Sequence, residues 1–415
     1  HRDGEQMKNR VVKNTAMLYL MNIAKMIFPL LTLPYLTRVL TVECYGIVSY
    51  VKAVMQYMQL IIDFGFVLSG TRDIVLVRND KKQLDLEVGN ILAAKFLLSL
   101  VAGIVLVLVT LTIPIVQENV LFTVLSFIPV IMTTFLFDFL YRGLEKMEII
   151  TVRFVIMKSV STFLTFVFVH SDTDILWIPI LDIAGSAVAI VMVLVEIKKL
   201  HICPRVGTLK TIVTKIRDSA IYFFSNMATT AFMAFNTLLI GIFIDKTEVA
   251  YWSLCLQMVT AVQALYTPLT DGIYPHMVKT KDLQLLKKAI KIYMPLVSIG
   301  CVLTYVLAKY ALIILGGEQY MQATNVLRAL IPVIFFSFFS MLLGWPALGA
   351  IGKQKETTIT TVVTAVLQIL GLFILIICHK FTLINIALLR GMTEFILLGL
   401  RLHYVIAFRD EFVGC

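Results

Sequence analysis

With 415 residues, 59% hydrophobic and only 15% charged side chains, and a mean hydropathy of +0.90, the chain is too apolar for a soluble globular protein, where roughly 45–50% apolar and 25% charged are usual. Six scattered cysteines without a C-x-x-C or a histidine at ligand spacing argue against a metal framework and read as small buried hydrophobes. A formal net charge of +10 would suit nucleic acid, but its distribution along the chain assigns it to membrane topology instead.

The residues before Met7, HRDGEQ (1–6), read as an expression scar or upstream read-through. No secretory leader is apparent, because the first apolar run continues without a small-residue cleavage site. From there twelve apolar runs recur, each of about 20 residues and so able to cross about 30 Å of hydrocarbon as a helix. They cover 14–37, 45–69, 89–112, 119–141, 152–169, 175–196, 218–243, 249–273, 290–314, 324–348, 357–378 and 383–407. Alternate connections carry 25 Lys and Arg on the amino-terminal side against three (Arg38, Lys246, Lys380) on the other. That asymmetry predicts twelve crossings with both termini cytoplasmic, and it accounts for the basic charge without nucleic acid.

Two stretches repeat at an offset of 204: KNTAMLYLMNIA from Lys13 and RDSAIYFFSNMA from Arg217 align Ala16 with Ala220, Asn22 with Asn226 and Ala24 with Ala228. Six spans separate the copies, so both enter the membrane from the same side, as in a parallel duplication. The expected fold is all-α and polytopic: twelve transmembrane helices in two six-helix bundles, 7–200 and 201–415, around a central cavity.

Polar residues inside the spans face a cavity or a partner rather than lipid. In span 1 these are Asn22 and Lys25. In span 2, Ser49, Lys52, Gln56, Gln59 and Asp63 recur at spacings of three and four and so share one helical face. Span 7 supplies Asn226, Thr229 and Asn236, and span 8 supplies Ser253, Gln257, Thr260, Thr267 and Asp271. Lining one space, these residues make it polar throughout and cationic in the amino-terminal half. That suits an anionic headgroup bearing hydroxyl-rich sugars, with Lys for phosphate and Asn/Gln for hydroxyls. Asp138 and Asp182 are further intramembrane acids that pair with lysines or carry a coupling cation; with Asp63 and Asp271 they are the candidates for ion coupling or gating. Lys95, Lys158, Lys309, Arg328 and Arg401 sit near span ends, where snorkelling explains them, and Arg390 is undecided.

Enzyme motifs are poor. GWPALGAIGKQK (344–355) has Gln354 where a phosphate-binding loop needs Ser or Thr, and no strand precedes it. Asp172-Thr173-Asp174 reads as a turn. Asp63-Phe64-Gly65 lacks every companion motif of a kinase and reads as a membrane exit loosened by Gly65 and Gly70. No cofactor or metal is expected.

PLLTLPYLTRVLTVECYGIVSY (29–50), DFGFVLSGTRDI (63–74), FDFLYRGLEKMEIITVR (137–153), VAYWSL with LYTPLTDGIYP (249–275), GEQY (317–320) and TEFILL (393–398) resemble the polysaccharide flippase family, the O-antigen or Wzx-type branch of the MOP exporter superfamily. The resemblance covers nearly the whole chain. It departs at His276, where the family usually has a basic residue, and at Phe139–Arg142, where a Trp or similar is usual. It implies two bundles forming a V around the cavity, and a monomer in the bacterial inner membrane. The job it implies is moving an undecaprenyl-diphosphate-linked oligosaccharide from the cytoplasmic to the periplasmic leaflet, by alternating access driven by an ion gradient. Membrane lipids, a polysaccharide polymerase and a chain-length regulator are the implied partners. The alternative within the same fold is a multidrug-type cation antiporter, whose pocket should be acidic or aromatic. A glycan polymerase or transferase would need a large extramembrane loop.

Overall fold

A computed structural model of the chain describes residues 2–413; the side chains of 2–12, 15, 225, 228–233, 271 and 275 lie outside the described set. The described residues are almost wholly helical. In chain order the helices are α1 (Arg2–Val39), α2 (Val42–Asp63), α3 (Phe66–Val77), α4 (Lys81–Thr112), α5 (Pro114–Glu118), α6 (Val120–Met132), α7 (Asp138–Gly143) and α8 (Met147–Phe168). They continue as α9 (Trp177–Lys199), α10 (Leu209–Phe243), α11 (Lys246–Thr280), α12 (Leu283–Gly316), α13 (Thr324–Ala329), α14 (Ile331–Leu342), α15 (Gln354–Ile377) and α16 (Leu383–Ala407).

Ten segments are long and apolar enough to cross a bilayer. The two other expected spans are helices as well. One is the 22-residue α2, interrupted by its polar stripe, and the other is α10, whose apolar part is Ala234–Phe243. The fold is therefore all-α and polytopic, with twelve spans.

Helix starts follow the side chains that satisfy free backbone N–H groups. Asp80 accepts from Lys82 N and Gln83 N ahead of α4, Asp245 from Glu248 N ahead of α11, and Asp282 from Gln284 N and Leu285 N ahead of α12. Thr41 precedes α2 and is itself held from a distant loop: its N–H donates to Asp172 Oδ1 at 2.8 Å and its hydroxyl to Oδ2 at 2.7 Å. The acidic turn Asp172–Asp174 thus ties two connections together. Past Pro129 the fourth span breaks into a 3₁₀ turn, Thr133–Leu136, and Phe137 is left-handed (φ 52°) before α7 begins. The tenth span kinks within the stretch Leu343–Gly349 at Gly344 (φ −72°, ψ −110°), so GWPALG is a buried bend in a transmembrane helix.

The chain forms two compact units, 1–230 and 231–415, a division within α10 rather than at 200/201. Its first half belongs to the first unit for identifiable reasons. Ile212 joins that unit's core with Ile74, Val88, Ile91, Phe139, Leu140 and Tyr141, while Ile216 packs against it. Ser219 Oγ lies 2.6 Å from Ser69 Oγ. Lys215 bridges Asp73, at 2.9 Å, and Glu87; burial opposes its charge, but the hydrogen bonds to Glu87 and Asp73 prevail and hold the ammonium above the ordinary lysine pKa. The preceding linker is pinned too, Cys203 N donating to Asp85 Oδ1 at 3.0 Å and Gly207 N to Asn90 Oδ1 at 2.8 Å.

The turn between α2 and α3 is tightly packed. Phe64 and Gly65 are both left-handed (φ 40° and 81°), and Phe64 stacks on Phe223 with ring centroids 4.4 Å apart. Gly70 does not loosen a helix as its sequence suggests; it lets α3 settle against Phe139 and Ile91. A β-carbon at Gly65 would lie 2.5 Å from Tyr222 Cβ. Gly65→Val should therefore cost roughly 2–4 kcal/mol from backbone strain and overpacking, measured as a fall in Tm of the purified protein in detergent.

Candidate functional site

The polar face of α2 divides into an open end and a closed end. Lys52 and Gln56 are exposed and have no hydrogen-bond or ion-pair partner among the described residues, whereas Ser49 is buried. One turn on, Gln59 Nε2 donates to Asp63 Oδ2 at 2.8 Å and to Thr133 Oγ1 at 3.0 Å. Lys95 Nζ on α4 meets Asp63 Oδ1 at 2.9 Å. Lys95 is only 4% exposed, so it does not snorkel; it neutralises Asp63 between two adjacent helices.

The other two described intramembrane acids of this unit are treated alike. Asp138, at the start of α7, forms an ion pair with Arg153 on α8. Arg153 is 2% exposed, a core residue at the start of its span. Asp182 on α9 lies 3.7 Å from Lys158 on α8 and accepts a 2.6 Å hydrogen bond from Ser161. Lys158 is thus engaged as well, not merely reaching for the membrane surface. Arginine as well as lysine serves as the counter-charge for these acids. Each pair removes a carboxylate from the list of groups free to hold a cation.

Of the intramembrane lysines of the first unit, Lys25 and Lys52 have no ion-pair partner among the described residues, unlike Lys95 and Lys158. Lys25 is exposed on α1, its ammonium 5.8 Å from the centroid of the Phe154 ring and within electrostatic range of Arg142 and Arg153. Lys52 lies within electrostatic range of Lys158 and Asp182. Nε of Arg142 and of Arg153 is buried without a hydrogen-bond acceptor among the described residues. With Asn22 exposed on α1 and Asn226 half-buried on α10, the first unit presents cations, amides and hydroxyls whose acids are already neutralised. Such a surface attracts an anion with attached hydrogen-bonding groups.

In the second unit Asn236 does not line open space. It is 1% exposed and accepts from Gln368 Nε2 at 3.1 Å, while Thr393 donates to Gln368 Oε1 at 2.9 Å. Asn236 is therefore corrected from a lining residue to a packing one: a buried amide must find partners, and α15 and α16 supply them. Gln257 is half-buried on α11. Asp271 and Thr229 carry side chains outside the described set. Arg401 is a buried hub, donating to Ser340 O at 2.5 Å, Thr360 Oγ1 at 3.3 Å and Thr361 Oγ1 at 3.1 Å. Glu394 accepts from Ser340 Oγ at 2.7 Å and from Arg390 at 3.0 Å. Arg401 is thus committed to the kinked tenth span, and Arg390 to Glu394 one turn away on its own helix. Arg328 lies over the Tyr305 ring at 4.8 Å, and Lys309 is exposed.

The sequence matches the model of the family described as "Polysaccharide biosynthesis protein" over residues 11–281. It is 26% identical over 387 residues to a protein of Escherichia coli (strain K12) named "Putative O-antigen transporter", covering 91% of this chain and 92% of that one. It is 27% identical over 364 residues to a Shigella dysenteriae protein of the same name, covering 83% and 87%. Among solved structures the fold is similar to "Lipid II flippase MurJ, inward closed conformation" (TM-score 0.68, 15% identity, 96% of this chain and 89% of that one). It is also similar to an inward-facing multidrug resistance MATE family transporter of the MOP superfamily (TM-score 0.67, 14% identity, 94% and 95%).

Breaking a buried pair strands the surviving charge, whereas removing both partners does not. Lys95→Met should destabilise the protein by about 3–5 kcal/mol, and adding Asp63→Asn should recover more than half of that. Thermal unfolding of the two variants in detergent measures the difference, and equal losses would contradict the pairing.

Proposed function

The chain belongs to the polysaccharide biosynthesis protein family, and from that premise we propose that it is a flippase for lipid-linked oligosaccharide. Its substrate is a surface-polysaccharide repeat unit on a polyprenyl diphosphate, carried from the cytoplasmic to the periplasmic leaflet of a bacterial inner membrane. The observation that carries this reading is the charge balance of the first unit. Asp63, Asp138 and Asp182 are each matched by a base, and Lys25 and Lys52 remain without ion-pair partners among the described residues. Two intramembrane cations without ion-pair partners suit a diphosphate, and Asn22, Gln56 and Asn226 of the same unit suit sugar hydroxyls. The names of the relatives and the MurJ-like fold support the same substrate class.

The MATE likeness raises the second reading, export of cationic small molecules. A cationic wall opposes it, since a like charge brought to about 4 Å of a lysine at low dielectric is repelled by several kcal/mol. Alternating access energised by an ion gradient completes the proposal. The carboxylates open to titration are then those whose base partner moves away during transport, for which Asp63, Asp138 and Asp182 are the candidates; Asp271, whose side chain lies outside the described set, is a candidate from its place in the eighth span.

Replacing Lys25 and Lys52 together by Ala should abolish surface-polysaccharide synthesis in a strain lacking its own flippase, while the amount of protein in the membrane stays unchanged. Full activity of the double variant would remove the assignment. In vesicles loaded with lipid-linked glycan, exposure of the glycan with and without an imposed proton or sodium gradient reads the coupling directly.

A further inference from the structure

Lys158 and Asp182 face a cavity of about 180 Å³ within the first unit, lined also by Gln59, Thr133, Met157 and Ser186. Their separation of 3.7 Å exceeds the roughly 2.7–2.9 Å of a charge-assisted hydrogen bond. The same Oδ1 also accepts from Ser161 Oγ at 2.6 Å, so the carboxylate's negative charge is shared between the serine and the lysine. The pair is attracted but not closed, and it is half-exposed, at 38% for Lys158 and 35% for Asp182. This differs from Lys95 with Asp63, which is closed at 2.9 Å with the lysine side chain 6% exposed. Gln59 and Thr133 are committed to each other and to Asp63. Ser186 is not: among the described residues its hydroxyl has only the Met157 sulfur, at 3.8 Å, which is a weak acceptor. Lys52, from α2, lies within electrostatic range of both members of the pair.

The geometry points to a counter-ion exchange, in which Asp182 holds Lys158 while the cavity is empty and a phosphate group of the substrate displaces it. The phosphate then sits between Lys158 and Lys52, with the Ser186 hydroxyl as a further donor. This rests on the reading of the chain as a carrier of diphosphate-linked glycan, and it makes Asp182 and Lys158 specificity-determining residues for the headgroup. The physical logic is that of a carrier. An uncompensated lysine in the bundle interior would be costly between cycles, and a closed ion pair would resist displacement. A loose pair keeps Lys158 charged, yields to a doubly charged diphosphate, and competes for the lysine afterwards, so the headgroup can leave. The exchange breaks no covalent bond and moves no proton.

The test is binding of undecaprenyl diphosphate, in detergent micelles, to the purified full chain by isothermal titration. Asp182→Asn removes the competitor and should tighten binding about tenfold, the worth of one charge-assisted contact. Ser161→Ala removes the donor that shares the Asp182 charge, so the carboxylate competes harder for Lys158, and it should weaken binding about threefold, within the range of one neutral hydrogen bond. Lys158→Met added to Asp182→Asn should erase the gain. These opposite signs separate exchange from a structural role, which would weaken binding in both single variants. Binding by the wild type that Asp182→Asn leaves unchanged or weakens overturns the exchange alone. No binding by the wild type overturns the carrier reading and the exchange with it. Should Asp182→Asn fail to fold, Ser161→Ala decides: weaker binding at unchanged Tm supports the exchange, and unchanged or tighter binding overturns it.

Discussion

An ionised side chain in the middle of a bilayer costs about 2.5–3.5 kcal/mol on insertion scales, and the first unit of this protein is organised around meeting that cost. Its three described intramembrane acids reach bases on neighbouring helices: Asp63 to Lys95 between α2 and α4, Asp138 to Arg153 between α7 and α8, and Asp182 to Lys158 between α8 and α9. The pairs tie the helices to one another at fixed depths. They also decide what the polar wall can attract, because once the acids are matched the charges left over are positive.

The second unit applies the same constraint to its backbone. Pro346 and the non-helical Gly344 interrupt the hydrogen-bond ladder of the tenth span, and hydrocarbon offers no water to replace a lost bond. Arg401 supplies the donors by reaching the Ser340 carbonyl, and Glu394 fixes the Ser340 hydroxyl from the same helix. A bend that would otherwise be costly becomes a stable feature of a buried helix. The charged residues here maintain a shape, whereas in the first unit Lys25 and Lys52 are left open.

That contrast bears on transport. A site that moves its cargo must bind through groups not fully satisfied by the protein, yet those groups must be tolerable when the cargo is gone. Under the proposed function, Lys25 against the Phe154 ring would meet both demands through a cation–π contact that leaves the ammonium's donors available. Fully closed pairs and networks, such as Lys95 with Asp63 or Gln368 with Asn236, serve rigidity instead.

The sequence by itself determined the class of fold and the number of spans, because twenty apolar residues in a row have one economical structure in a membrane and because loop charge alternates with each crossing. The face shared by Lys52, Gln56, Gln59 and Asp63 was legible for the same reason: helical periodicity is local. Which of those residues stay open was not legible. Lys95 and Arg401 read as snorkelling residues near span ends and are buried partners; Asn236 read as lining and is packed. A signal was available for Asp63 and Lys95, which sit at similar depths on consecutive antiparallel spans, but depth alone does not give helix rotation. Only the tertiary structure decided it, because the partner of a buried charge is set by which faces of non-local helices meet, and a one-dimensional pattern carries no record of that rotation.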